Sequence, residues 1–267
     1  MLSLNPPCLL PYFTAGWPTP EAFVASVKAA AEAGCAAFEV GIPFSDPVAD
    51  GPVIQKTSSA ALEAGVDWAE ALRLTRRAVQ ESGLPAIAMT YCNPLYSLGL
   101  ESSCGQLAAA GCRGLIVPDL TLEEGSPLEK AASAAGLDLI YLVAPTTPDQ
   151  RVAQLAERSR GFLYLVSLRG VTGARQELPA DLVQQIKRVR ARTPLPVMVG
   201  FGISTPAQAA SVSAQGAGVI VGSALLRAIG EAPPERAGEV TQEFLSQMVQ
   251  AMRSPSLGDG DAALDVS

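Results

Sequence analysis

Cys35-Ala-Ala-Phe-Glu-Val-Gly-Ile-Pro-Phe-Ser-Asp-Pro-Val-Ala-Asp-Gly-Pro-Val-Ile-Gln55 is the stretch around which the chain is organised. Its first eight residues alternate with period two. Phe38, Val40 and Ile42 share one face, and Ala37, Glu39 and Gly41 share the other, as in a strand. Glu39 is an odd occupant of such a strand, because an unpaired buried carboxylate is costly and tends to neutralise. The strand stops at Pro43, and a polar loop carrying Ser45, Asp46, Asp50 and Gly51 follows. Eleven residues after Glu39, Asp50 can fold back to face the strand end. Two carboxylates in different environments suit paired proton-transfer roles. The competing assignment is an Asp50 that caps the next helix and a Glu39 held in a core salt bridge. Spacing alone does not separate the two.

Outward from this unit the pattern repeats. Apolar runs predict strands over residues 8–14, 35–42, 85–91, 114–118, 137–143, 162–167, 196–202 and 218–222. Between them lie amphipathic segments such as 21–32, 68–81, 148–159 and 180–192. Gly34, Gly83, Gly111, Gly136 and Gly216 fall at helix ends, where a left-handed cap needs glycine. Near-continuous apolar strands alternating with helices predict a parallel sheet covered by helices. Eight units without a linker favour one closed α/β barrel over residues 1–253; an open doubly wound sheet is the alternative. A length of 267 residues suits such a barrel. Residues 254–267 are short, acidic and Gly-rich, and are predicted to be a disordered tail.

Composition narrows the function. The net charge of −7 argues against nucleic acid or an anionic membrane as the main partner. No run reaches the roughly 18 apolar residues of a membrane span, and no basic n-region opens the chain, so a cytoplasmic protein is expected. Five scattered cysteines predict neither disulfides nor a zinc site. The histidine count is zero. Proton transfer must then use carboxylates, Tyr, Lys or water, and a His triad or His-held metal is ruled out.

In a barrel the chemistry belongs at the C-terminal ends of the strands. Unusual residues concentrate there: Tyr12-Phe13-Thr14, Thr90-Tyr91-Cys92-Asn93-Pro94 and Val117-Pro118-Asp119. The loops after strands two and six, the latter Arg169 to Arg175, are long enough to serve as lids, or are tolerated insertions. Gly200-Phe-Gly202 closes strand seven, and Val221-Gly-Ser223 leads strand eight into a short extra helix. Glycine amides and a helix start there suit an anion, with Gly173 as a third amide; simple tight turns are the other reading. Tyr164 lies on one face of strand six and needs a hydrogen-bond partner, for which an ionised Glu39 is a candidate. Tyr12 and Phe13 could line a pocket for a flat ring.

The string Phe38-Glu-Val-Gly-Ile-Pro-Phe-Ser-Asp-Pro-Val-Ala-Asp-Gly-Pro52 closely resembles the signature of the tryptophan synthase alpha chain family. Tyr164-Leu-Val-Ser-Leu-Arg-Gly-Val-Thr-Gly173, Leu115-Ile-Val-Pro-Asp-Leu120 and Leu142-Val-Ala-Pro-Thr-Thr147 extend the resemblance over about residues 9–226. It implies a single (β/α)8 TIM barrel that cleaves indole-3-glycerol phosphate to indole and D-glyceraldehyde 3-phosphate. It places Glu39 as acid/base and Asp50 as the aspartate that accepts from the indole N1–H. Tyr164, Tyr12 and Thr172 fall on substrate, and Gly173, Gly202, Gly222 and Ser223 on the phosphate. No cofactor or metal is implied in this chain. A PLP-dependent beta chain is implied as partner in an α2β2 tetramer, with Asp46 sensing its docking. Two departures stand out: Gly16-Trp17-Pro18 where the family usually has Gly-Asp-Pro, and a shortened N-terminus with seven residues before strand one. Indole-3-glycerol phosphate synthase, a second candidate, would want a lysine on an inner strand. A stand-alone lyase and a non-catalytic barrel that activates a partner are further alternatives.

Overall fold

The computed structural model describes residues 2–166, 180–200 and 202–253. Its strands are β1 (Leu9–Thr14), β2 (Phe38–Gly41), β3 (Ala86–Met89), β4 (Cys112–Ile116), β5 (Asp138–Ile140), β6 (Leu142–Val143), β7 (Leu163–Val166), β8 (Val197–Gly200) and β9 (Gly218–Val221). The helices between them are α1 (Pro20–Glu32), α2 (Pro52–Glu63), α3 (Trp68–Ser82), α4 (Cys92–Leu98), α5 (Leu100–Ala109), α6 (Ser126–Ala134), α7 (Asp149–Arg158), α8 (Ala180–Arg190), α9 (Pro206–Ala214), α10 (Ser223–Gly230) and α11 (Ala237–Arg253). All strand pairs are parallel, in the order β5-β4-β3-β2-β1-β9-β8-β7-β6. The two edge strands are halves of one extended run, so the sheet curls into a nearly closed barrel.

Each predicted strand exists, and the fifth is interrupted. Its break is at Tyr141, whose N–H donates to Ser159 Oγ instead of a neighbouring strand. The Tyr141 carbonyl still accepts from Tyr164 N–H at 3.1 Å, which carries the run from β4 on one side to β7 on the other. Strand two begins at Phe38 rather than Cys35, because Cys35 N–H closes the end of α1 by donating to Ala30 O. Gly34 there has φ 88°, and Gly83, Gly111, Gly136 and Gly216 likewise sit at positive φ, as a left-handed helix end requires.

Period two sorts the strand side chains into two buried layers. Phe13, Phe38, Val40, Ala88, Leu115, Leu165, Val199 and Val219 face the helices. Leu10, Tyr12, Ile87, Met89, Ile140, Tyr164, Met198 and Ile220 fill the barrel interior. Large and small residues alternate across that interior. A Cβ on Gly41 would lie 1.9 Å from the Tyr12 hydroxyl, and one on Gly200 would lie 2.1 Å from the Tyr164 hydroxyl. Both tyrosines thus lie across a glycine of the next strand. At the opposite end, Leu2 and Leu4 are buried against this inner cluster. Leu2 N–H donates to buried Asp138, so an extended segment covers the interior where the sequence shows no helix. The predicted 254–267 tail lies outside the described residues.

Candidate active site

β2 carries Glu39 on its inward face, in register with Tyr12 of β1 and Ile87 of β3. It is 1% exposed, and its Oε1 has no hydrogen-bond partner among the described residues. Burial pushes its carboxyl up to about 8. Glu39 therefore carries its proton at neutral pH, which corrects the expectation of an ionised partner for Tyr164. It is not in a core salt bridge among the described residues.

Asp50 sits on the loop that returns from β2. It does not cap α2: the N-cap is Gly51, and no side chain satisfies that helix start. Burial pushes Asp50 up to about 6, opposed by the nearby Tyr91 hydroxyl; the Asp50 Oδ1 has no hydrogen-bond partner among the described residues. At neutral pH it is mainly ionised, so the two carboxyls occupy different protonation states. Tyr91 also accepts from Ala49 N–H at 3.2 Å, and its ring packs on Phe44 at 5.5 Å between centroids. One side chain from the end of β3 thereby holds both ends of the Asp50 loop. Sequence reading noted Tyr91 at a strand end but did not assign it this tether, since only the fold brings residues 49 and 91 together.

A cavity of about 510 Å³ opens at the C-terminal ends of the strands and is bordered by Glu39, Asp50, Tyr12, Tyr164, Gly202, Gly222 and Ser223. That volume fits a drug-sized ligand. Ile54, Met89, Leu142 and Ile220 supply apolar wall that sequence alone did not single out. Burial raises both inner phenols well above the ordinary tyrosine range; Glu39 and Asp50 add to this at each. They serve as neutral hydrogen-bonding groups and ring surfaces.

Backbone turns after β8 and β9 also border the cavity. Gly202 has φ 90°, a left-handed conformation that suits glycine. The turn after it is fixed by buried Gln208, whose Oε1 accepts from Ser204 N–H at 2.9 Å. Gly222 precedes α10, and Ser223 opens it, leaving first-turn amides free for an anion. Arg227, one turn further along α10, also borders the cavity and was missed, although its spacing of four from Ser223 puts it on the same helix face. Thr172 and Gly173 lie outside the described residues. Asp46 is exposed on the β2 loop, where it accepts from Ser45 Oγ, and it does not border the cavity.

The tryptophan synthase alpha chain profile matches residues 2–254. The chain belongs to the tryptophan synthase alpha chain family. Alpha chains of Chloroflexus aurantiacus and Prochlorococcus marinus are 44% identical over 248 residues and 47% identical over 239 residues. The alignments cover 92% and 88% of this chain and 93% and 85% of those relatives. The structure is similar to that of the tryptophan synthase α2β2 complex from the hyperthermophile Pyrococcus furiosus, with TM-score 0.87 and 36% identity over 92% of this chain and 99% of that one. As an alpha chain it is an indole-3-glycerol-phosphate lyase of tryptophan biosynthesis. Other assignments lose their support in the fold: Lys28, Lys56, Lys130 and Lys187 all lie on helices, so no strand supplies the inner lysine of a synthase barrel. Among the described residues, no helix is long and apolar enough to cross a membrane, and no group of three or more His, Cys, Asp or Glu could hold a metal.

Proposed function

We propose that Glu39 and Asp50 are the acid/base pair that cleaves indole-3-glycerol phosphate in a cytoplasmic (β/α)8 barrel. The observation that carries this reading is the buried Glu39 carboxyl, whose Oε1 has no hydrogen-bond partner among the described residues, in the same cavity as a half-buried Asp50. Glu39 starts neutral and gives its proton to indole C3, forming an indoleninium whose positive charge is shared with N1. Asp50, ionised on a loop tethered by Tyr91 through Ala49 N–H, accepts from N1–H and stabilises that charge as it develops. The Glu39 carboxylate then takes the proton of the C3′ hydroxyl. The C3–C3′ bond breaks, its electron pair returns to the ring, and the aldehyde forms. Indole and D-glyceraldehyde 3-phosphate are released, with Glu39 protonated again.

Tyr12, Tyr164 and the apolar wall hold the ring, and Thr172, which lies outside the described residues, is assigned to the substrate by the family resemblance. Amides at Gly173, Gly202, Gly222 and Ser223, with the Ser223 hydroxyl, hold the phosphate. No cofactor takes part in this step; PLP belongs to the beta chain, which we place on the C-terminal face of the barrel in an α2β2 tetramer. Exposed Val48 on the β2 loop and exposed Tyr96 and Leu98 around α4 support that placement, because large apolar side chains are there uncovered. Asp46, beside Val48, would couple docking to loop closure. The test is cleavage of indole-3-glycerol phosphate by the pure chain, alone and with a tryptophan synthase beta chain. Slow turnover alone and marked acceleration with the partner are expected. Fast turnover indifferent to the partner would make it a stand-alone lyase, and no turnover with partner activation a non-catalytic barrel.

A further inference from the structure

The cavity is electrostatically lopsided. Glu39 and Asp50 border it from β2 and the loop after it, and the turns at Gly202 and Gly222 border it from the ends of β8 and β9. Neutral amides can shape a phosphate site, but a dianion entering a chain of net charge −7 also meets the ionised Asp50 carboxylate. Arg227 is the one basic side chain among the described residues that border the cavity. Arg73, Arg77, Arg151, Arg158, Arg188, Arg192 and Arg236 are each paired with a carboxylate; Arg76, Arg113, Arg160, Arg190 and Arg253 have no ion pair among the described residues, but none of them borders the cavity. Arg227 makes no ion pair among the described residues, is exposed at the cavity mouth, and shares a helix face with Ser223. Among the described residues it has no counter-charge, and the substrate's phosphate supplies one.

We propose that Arg227 is a specificity-determining residue that selects phosphorylated over unphosphorylated indole glycerol and orients the ligand with its ring toward Asp50. The inference rests on the lyase reading and deepens it. Because the guanidinium is exposed, its pull on a dianion is moderate and sensitive to salt.

The experiment compares wild type, Arg227→Gln and Arg227→Lys, each with the beta chain, at about 20 mM and about 300 mM salt. Arg227→Gln should raise KM for indole-3-glycerol phosphate by about three- to tenfold at low salt, with kcat little changed. The difference should shrink at high salt, and Arg227→Lys should recover most of it. Inhibition by indole glycerol lacking the phosphate should be unaffected. An unchanged KM at low salt, or equal weakening of the unphosphorylated analogue, overturns the proposal. Calorimetry with glycerol 3-phosphate separates the two claims. Weaker binding by Arg227→Gln in a chain without lyase activity would keep Arg227 as a phosphate contact and sink the lyase reading. Equal binding in an active enzyme would do the reverse.

Discussion

Glu39→Gln should stabilise the fold in a pH-dependent way. In the unfolded chain the carboxyl titrates near its ordinary 4.5, and in the barrel burial holds it near 8. Below pH 4.5 both states are protonated, and Glu39 costs nothing. Between 4.5 and 8 the unfolded chain releases a proton that the native state keeps, so native stability falls by about 1.4 kcal/mol per pH unit. Above 8 the loss is complete, at about 5 kcal/mol from the separation of the two values. Water entry and relaxation reduce this, so about 2–5 kcal/mol is expected. Glutamine has nearly the same shape and does not titrate. Urea denaturation of both proteins at pH 4, 6, 8 and 9 measures the difference. The midpoints should nearly coincide at about pH 4 and separate steadily in favour of the variant as pH rises. Parallel curves across that range would refute the argument, because they would mean that Glu39 ionises as easily inside the barrel as outside.

Three further outcomes are expected. Tyr91→Phe removes the hydroxyl that opposes the upward shift of Asp50, so the acidic limb of the pH–rate profile should move to higher pH. An unmoved limb would separate Asp50 from it. Ser223→Asp places a like charge at the start of α10 and should weaken glycerol 3-phosphate binding by about tenfold or more by calorimetry. Unchanged affinity would put the phosphate elsewhere. Asp46→Ala should leave the isolated chain's rate nearly intact while removing most of the acceleration by the beta chain, an effect of about 5–150-fold for a coupling of this kind. Full acceleration of the variant would free Asp46 from that role.

Much of this architecture is legible in local pattern. The period-two split of Phe38 and Val40 from Glu39 is the split between the outer and inner layers, and the glycines after the helices adopt the left-handed conformation expected of them. What local pattern cannot express is a contact made by tertiary closure. The break at Tyr141 depends on Ser159, eighteen residues away. The grip of Tyr91 on Ala49 depends on β2 and β3 being neighbours. Protonation is equally non-local. Asp50 follows the stretch's opening strand in sequence, yet its half-burial and the full burial of Glu39 arise only once the barrel surrounds them. Cavity walls such as Leu142 and Ile220 are indistinguishable in sequence from any other strand aliphatic.

The central claim is that Glu39 transfers the protons of cleavage, and single-turnover cleavage of indole-3-glycerol phosphate by Glu39→Gln with the beta chain tests it most directly. Glutamine keeps the hydrogen-bonding shape but can neither give nor take a proton at C3 or at the C3′ hydroxyl. Turnover should fall by about 100-fold or more, with the fold intact and glycerol 3-phosphate still bound. A variant that cleaves at close to the wild-type rate would contradict the account.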